Sequence, residues 1–297
     1  MTLTGRIKKE YPFGSNFLTL TNGNKIHYID EGIKSNFPTL FLHGNPTWSF
    51  FYRNLIQSLS GNYRCIAPDH LGCGLSDKPD ILDFNYDLQG HADNFQELIC
   101  HLNLEKFNLV VHDWGGAIGL TALRENFQRI NKLVLLNTAS FTSNDVPKRI
   151  KFCRIPVIGE FFVRQLNGFA GPATWMATNK KLPSDIKSGF LLPYNDWPSR
   201  IAIWHFVRDI PLGKNHPSFS NLLKTEEALH KLKEIPKIAC WGMKDFCFHE
   251  GFLKKWKKIL PNLTIHKIAS AGHYLLEDEF EKCEVIIKNF FEIEYEE

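Results

Sequence analysis

The segment Leu109-Val110-Val111-His112-Asp113-Trp114-Gly115-Gly116-Ala117-Ile118-Gly119 sets an aspartate where an apolar strand runs into a glycine-flanked turn and then a helix. Such a turn strains its central residue, and small neighbours are needed if that side chain is to stand clear at the carboxyl end of the strand. Gly115 and Gly116 supply the room, while Val111 fills a position often taken by glycine. A carboxylate in this setting attacks electrophilic carbon and leaves an ester on the protein, whereas a serine would leave an acyl group. The chemistry expected is therefore displacement at carbon or ring opening. A simpler reading makes Asp113 a cap for the following helix, accepting hydrogen bonds from its first free N–H groups. The choice between the two turns on partners elsewhere in the chain.

A nucleophile of this kind needs a base, and the base needs an acid to orient it. In folds built around such a turn, both follow the nucleophile in chain order. Residues Leu263 to Ala269 are expected to form a strand, leading into Ser270-Ala271-Gly272-His273-Tyr274. That place, after the last strand, singles out His273 among the 12 histidines. The acid belongs after one of two strands. Residue Asn137, after Lys132 to Leu136, carries no charge, whereas Asp245 follows Lys237 to Lys244. Asp245 is therefore assigned as the acid, against the plainer reading of a turn aspartate near Gly242.

A leaving anion must also be stabilised, by donors from the loop after an earlier strand together with the turn itself. Pro38 to Leu42 is an apolar strand ending in His43-Gly44-Asn45-Pro46-Thr47-Trp48. Backbone N–H groups of Asn45 and Trp114 are expected to face the anion, with the Asn45 amide and the Trp114 indole as two further donors. Taken singly, Asn45 is also a turn residue before proline, and Trp114 a large apolar residue opening a helix. An intrinsic pKa of about 3.9 leaves Asp113 ionised, and one of about 6.5 leaves His273 mostly neutral, at neutral pH.

The motifs His43-Gly44-Asn45-Pro46-Thr47-Trp48-Ser49-Phe50 and Pro68-Asp69-His70-Leu71-Gly72-Cys73-Gly74-Leu75-Ser76-Asp77-Lys78-Pro79, with the Asp113 turn, resemble the haloalkane dehalogenases, a family of α/β-hydrolases. The similarity runs over nearly the whole chain. It implies that Asp113 displaces halide from a saturated carbon, that His273 activates water to hydrolyse the ester, and that Asn45 and Trp114 bind the halide. One branch of the family carries a glutamate after the sixth strand, from which Asn137 departs. Another carries its acid after the seventh strand with an asparagine–tryptophan halide pair, as here.

Four further segments, Asn137-Thr138-Ala139-Ser140-Phe141, 193–201, 206–212 and 271–278, look most like the β-lactone decarboxylases of bacterial long-chain olefin biosynthesis. That resemblance implies conversion of a cis-3,4-dialkyl β-lactone to a cis-alkene and carbon dioxide. It also implies the condensing enzyme, reductase and lactone synthetase of that route as partners. It extends through the region expected to select substrate, so the decarboxylase reading is preferred and the haloalkane dehalogenase is the alternative. The sequence leaves open which lactone carbon is attacked and whether water enters the second step.

Alternating short β and α runs imply a doubly wound, mainly parallel sheet, and the resemblance implies that it is the eight-stranded sheet of an α/β-hydrolase fold. Its first two strands, around Asn22-Gly23-Asn24, form an antiparallel hairpin at one edge. A core of residues 1–137 and 220–297 is expected, interrupted at 138–219 by a helical cap rich in aromatics, including Trp175, Trp197 and Trp204. Within it, Ile155 to Val163 is too short to cross a bilayer, which takes about 20 apolar residues. A greasy cap is still suited to peripheral contact with a membrane that holds long-chain substrate.

Other classes are excluded or weakened. Seven cysteines, an odd number with no C-x-x-C pair, argue against a disulfide framework and a zinc site, and no cofactor is implied. Met1 to Asn16 has no apolar leader segment, so a cytoplasmic protein is expected. A net charge of +3 is too small for nucleic-acid binding. Lys254-Lys255-Trp256-Lys257-Lys258 reads as a solvated helix face, and the acidic end from Glu292 as a frayed terminus. An epoxide hydrolase would want two cap tyrosines, where only Tyr194 is found, and a non-catalytic binding protein would have lost part of the triad.

Overall fold

The computed structural model describes residues 5–33 and 37–293, apart from the Arg6 side chain. The acidic end expected to fray lies outside the described residues from 294 onward. Eight strands form one sheet: β1 (Asn16–Thr19), β2 (Lys25–Glu31), β3 (Thr39–Leu42), β4 (Cys65–Pro68), β5 (Phe107–Asp113), β6 (Ile130–Thr138), β7 (Lys237–Gly242) and β8 (Thr264–Ile268). Their order is β1-β2-β4-β3-β5-β6-β7-β8. Strand β2 runs antiparallel to β1 and β4, and every other pairing is parallel.

Burial on both faces explains why the central strands read as unbroken apolar runs rather than alternating ones. The side chains nonetheless alternate between two cores, as the two-residue period of a strand requires. On one face Leu109, Val111, Leu133, Leu135, Ala239 and Trp241 pack together, and on the other Val110, Val134, Leu136, Ile238 and Cys240. Helices α1 (Arg53–Leu59), α2 (Leu88–His101) and α3 (Trp114–Leu123) follow β3, β4 and β5.

After β6 the chain leaves the sheet and forms the expected helical insertion. It holds α4 (Lys148–Cys153), α5 (Ala170–Met176), α6 (Ser184–Leu191) and α7 (Ile201–Arg208), with short 3₁₀ and π turns between them. Helix α8 (Pro217–Ala228) then packs against α2 and α3, and residue 219, expected to end the cap, lies within it. The cap is tied down by polar bonds to core loops: the Trp48 indole donates to Gly189 O (3.1 Å) and the Tyr194 hydroxyl to Thr47 O (3.1 Å). Helices α9 (Glu250–Ile259) and α10 (Phe280–Glu292) complete the core. In α9 the residues Phe252, Leu253 and Trp256 are buried, while Lys254, Lys257 and Lys258 face solvent. No helix among the described residues is long and apolar enough to cross a membrane.

Strand order reverses around β3, with β4 on one side and β5 on the other. Ligands of open parallel sheets bind at the carboxyl end of such a reversal. The loop after β3 and the turn after β5 meet there, since Leu42 pairs with Val111.

Candidate active site

Asp113 sits at φ 50° and ψ −125°, a left-handed geometry that side chains other than glycine rarely adopt. Such a conformation costs on the order of 1–3 kcal/mol and persists where the surroundings over-determine it. Here the constraint is close approach of neighbours. A Cβ on Gly115 would lie 2.0 Å from Leu42 O, and one on Gly116 2.0 Å from Thr138 Oγ1, whose hydroxyl donates to Asp113 O (2.5 Å). Val111 is tolerated because it is buried in the strand before the turn.

The capping role fails on geometry, because the Asp113 carboxylate makes no cap bond to its own helix. Its Oδ1 instead accepts the Asn45 backbone N–H at 2.6 Å, and the Trp114 backbone N–H also stabilises it. Burial nevertheless raises the Asp113 pKa above the usual carboxylate value, outweighing His273 and these two amides.

His273, on the loop after β8, donates from Nδ1 to Asp245 Oδ2 (2.7 Å) and turns Nε2 toward Asp113 Oδ2 (3.7 Å). Burial works to lower its pKa, but the carboxylates of Asp245 and Asp113 prevail and the net shift is upward. The neutral imidazole expected from the intrinsic value is therefore less favoured than the sequence alone suggests. His112, just before Asp113, donates from Nε2 to His273 O (2.9 Å) and lies face to face with Phe51. Burial, followed by the neighbouring His273, drives the His112 pKa well down, so it stays neutral.

The Asp245 carboxylate is held at three points: by His273, by the Cys247 N–H (2.7 Å) and by Asn137 Nδ2 (2.9 Å). Sequence reasoning set Asn137 aside for want of charge and ended β6 before it. The strand in fact runs on through Thr138, and Asn137 grips the end of β7 with both ends of its amide, accepting from Gly242 N (2.7 Å) and donating to Gly242 O (3.0 Å). Its place at the end of the strand beside β7 was the available signal.

The two anion donors stand differently from what was expected. One amide hydrogen of Asn45 is committed to Ile203 O (3.1 Å), which leaves one for a ligand, and Asn45 Oδ1 is buried without a partner. The Trp114 indole makes no hydrogen bond with the described residues and borders open space. Tyr194 borders neither cavity described below, its hydroxyl being spent on Thr47 O and Gly74 N.

Two apolar cavities reach Asp113 and Trp114. The larger, about 390 Å³, lies under α4 and α5 and includes Asn45, His273 and Tyr274 in its wall. The smaller, about 120 Å³, runs toward α8 and α9, past Ala139, Leu222 and Phe252. Among the described residues no group of three or more histidine, cysteine or acidic side chains is placed to hold a metal.

Residues 38–280 match the model of the alpha/beta hydrolase fold family. A cis-3-alkyl-4-alkyloxetan-2-one decarboxylase of Shewanella oneidensis is 40% identical, over 94% of this chain and 88% of its own. Haloalkane dehalogenase 2 of Mycobacterium bovis is 30% identical, over 90% of this chain and 91% of its own. The crystal structure of the haloalkane dehalogenase DatA of Agrobacterium tumefaciens superposes with a TM-score of 0.83 at 26% identity, covering 93% of this chain and 95% of that one. Sheet order, the strained aspartate turn and these similarities agree: the chain belongs to the α/β-hydrolase fold family, among the relatives that include the oxetan-2-one decarboxylases and the haloalkane dehalogenases.

Proposed function

We propose that this protein converts cis-3,4-dialkyl β-lactones to cis-alkenes and carbon dioxide, with Asp113 as nucleophile, His273 as its partner and Asp245 as the acid that orients His273. The observation that carries the reading is a largely buried carboxylate in a strained turn, 3.7 Å from a histidine and facing apolar cavities, in a chain 40% identical to an oxetan-2-one decarboxylase over 94% of its length.

The steps balance without water. Asp113 attacks the ring carbon bearing oxygen from the side opposite that oxygen, the carbon–oxygen bond breaks, and its electron pair stays on the released carboxylate. The remaining N–H of the Asn45 amide and the Trp114 indole hold that anion. The new ester bond then lies anti to the bond joining the carboxylate to the neighbouring carbon. That bond breaks to release carbon dioxide, its electrons form the alkene, and the ester pair returns to Asp113. Inversion followed by anti loss keeps the two alkyl groups cis. Protonated His273, favoured by its two carboxylate neighbours, offsets the charge regained by Asp113.

A haloalkane dehalogenase is the second reading, because the same carboxylate, histidine and donors would serve it and the DatA structure superposes closely. There, neutral His273 would activate water against the ester. Purified enzyme in heavy-oxygen water separates the two. Decarboxylation yields cis-alkene by NMR and leaves Asp113 unlabelled by mass spectrometry, whereas bromide release with a labelled Asp113 would overturn the reading.

The aromatic helices at 138–216 form the cap in this reading, with the division from the core set just before α8. The cap surface carries exposed Val157, Phe161 and Leu166 beside Lys148 and Lys151, an arrangement that supports peripheral contact with a membrane. Sedimentation with anionic vesicles, lost in a Val157→Ser, Phe161→Ser double variant, would test that contact. We also propose a cytoplasmic location, supported by seven cysteines that are all unpaired, and assembly with other enzymes of olefin biosynthesis.

A further inference from the structure

A terminal haloalkane carries a single chain on its reacting carbon, and one apolar pocket serves it. A cis-3,4-dialkyl β-lactone carries two chains on adjacent ring atoms and on one face of the ring. It therefore needs two apolar pockets that lie side by side, open at the reacting carbon and diverge. The two cavities have that relation: both include Asp113 and Trp114, and Ile150, Ile210 and Cys247 also border both. Beyond these shared residues their linings separate, one toward α4 and α5, the other toward α8 and α9.

We infer that the two cavities are separate sites for the two alkyl arms of one lactone, one arm in each. The inference rests on the decarboxylase reading and specifies its substrate geometry. The attacked carbon must face Asp113 and the departing oxygen must face Asn45 and Trp114, so the ring has one productive orientation and the arms do not exchange places. Each ring position is then served by its own cavity. Since the volumes differ about threefold, 390 against 120 Å³, one ring position accepts markedly longer chains than the other.

Two regioisomeric cis-lactones, each with one long chain and one methyl group, test this with two variants. Ala173, on α5, borders only the larger cavity, and Ala139, after β6, only the smaller. The readout is the ratio of kcat/KM for the two regioisomers, which cancels a uniform loss from imperfect folding. Wild type is expected to prefer one regioisomer. Ala173→Phe should move the ratio at least about tenfold against that isomer, and Ala139→Phe should move it the other way, since even one methylene of misfit in an apolar pocket is worth about that much. Ala139→Leu, a gentler change, should give the same sign. Shifts in the same direction, or no shift with either variant, would overturn the two-arm assignment while leaving the decarboxylase reading intact. If wild type makes no alkene from either regioisomer yet releases bromide from a bromoalkane, the decarboxylase reading falls and the arm assignment with it.

Discussion

The carboxyl end of the sheet and the cap above it meet at one carboxylate yet are built on opposite terms. At the sheet end the three ionisable groups are held by directional bonds: Asp245 at three points, Asp113 by the Asn45 backbone N–H, His273 through its ring and its carbonyl. The cap wall facing the cavities is apolar, made of short helices, with Trp175, Val157 and Leu166 left in solvent. On the proposed function, reactivity is fixed by a few directional bonds with sharp tolerances, and choice of substrate is spread over many non-directional contacts that substitute for one another.

The largest test of that contrast is Asp113→Asn, which should lower turnover by about 10⁴-fold or more while a thermal melt shows the fold intact. Turnover that survives would remove the nucleophile from both readings. Next, Asp245→Asn should cost about 10³- to 10⁴-fold in kcat, because the amide turns the imidazole to the wrong tautomer. A smaller and more pointed change is Asn137→Ala, expected to lower kcat about 10- to 100-fold with little change in KM. It should also alter the pH dependence of the rate, which a merely structural residue would not do.

The pH profile sharpens the comparison without mutation. Asp113 must be ionised, and since burial raises its pKa, the rate should fall on acidification sooner than an ordinary carboxylate would allow. His273 is shifted upward, so its imidazolium persists to higher pH and is lost as pH climbs through that raised value. Decarboxylation should then decline on the alkaline side, giving a bell. Ester hydrolysis by neutral His273 should instead rise to a plateau there. The smallest effect is expected in the cap: Val157→Ser should change stability by no more than about 0.5 kcal/mol in a denaturant melt, with turnover of a short-chain lactone unaltered.

The sheet, the hairpin edge and the meeting of Asp113, Asp245 and His273 were legible because each rests on a local rule: strand periodicity, turn glycines, or position after a strand. Asn137 was not, because it was weighed by charge alone: its place at a strand end was the one signal, and the amide contacts that span to β7 are set by the assembled sheet. Asn45 was half legible. Its backbone N–H does reach Asp113, but its side chain meets Ile203, 158 residues along the chain, through a cap contact that no local pattern encodes. The cavities were illegible for a related reason. Their walls draw on segments from Asn45 to Tyr274, and volume is a property of the assembled set.

His112 donates its ring N–H to the carbonyl of His273, linking the residue before the elbow to a loop that follows the final strand. On the proposed reading, Asp113 has no base until the segment after β8 is in place, because His273 lies 160 residues further along the chain and reaches the turn only through that loop. Activity in a refolding experiment is therefore expected to trail the recovery of the sheet.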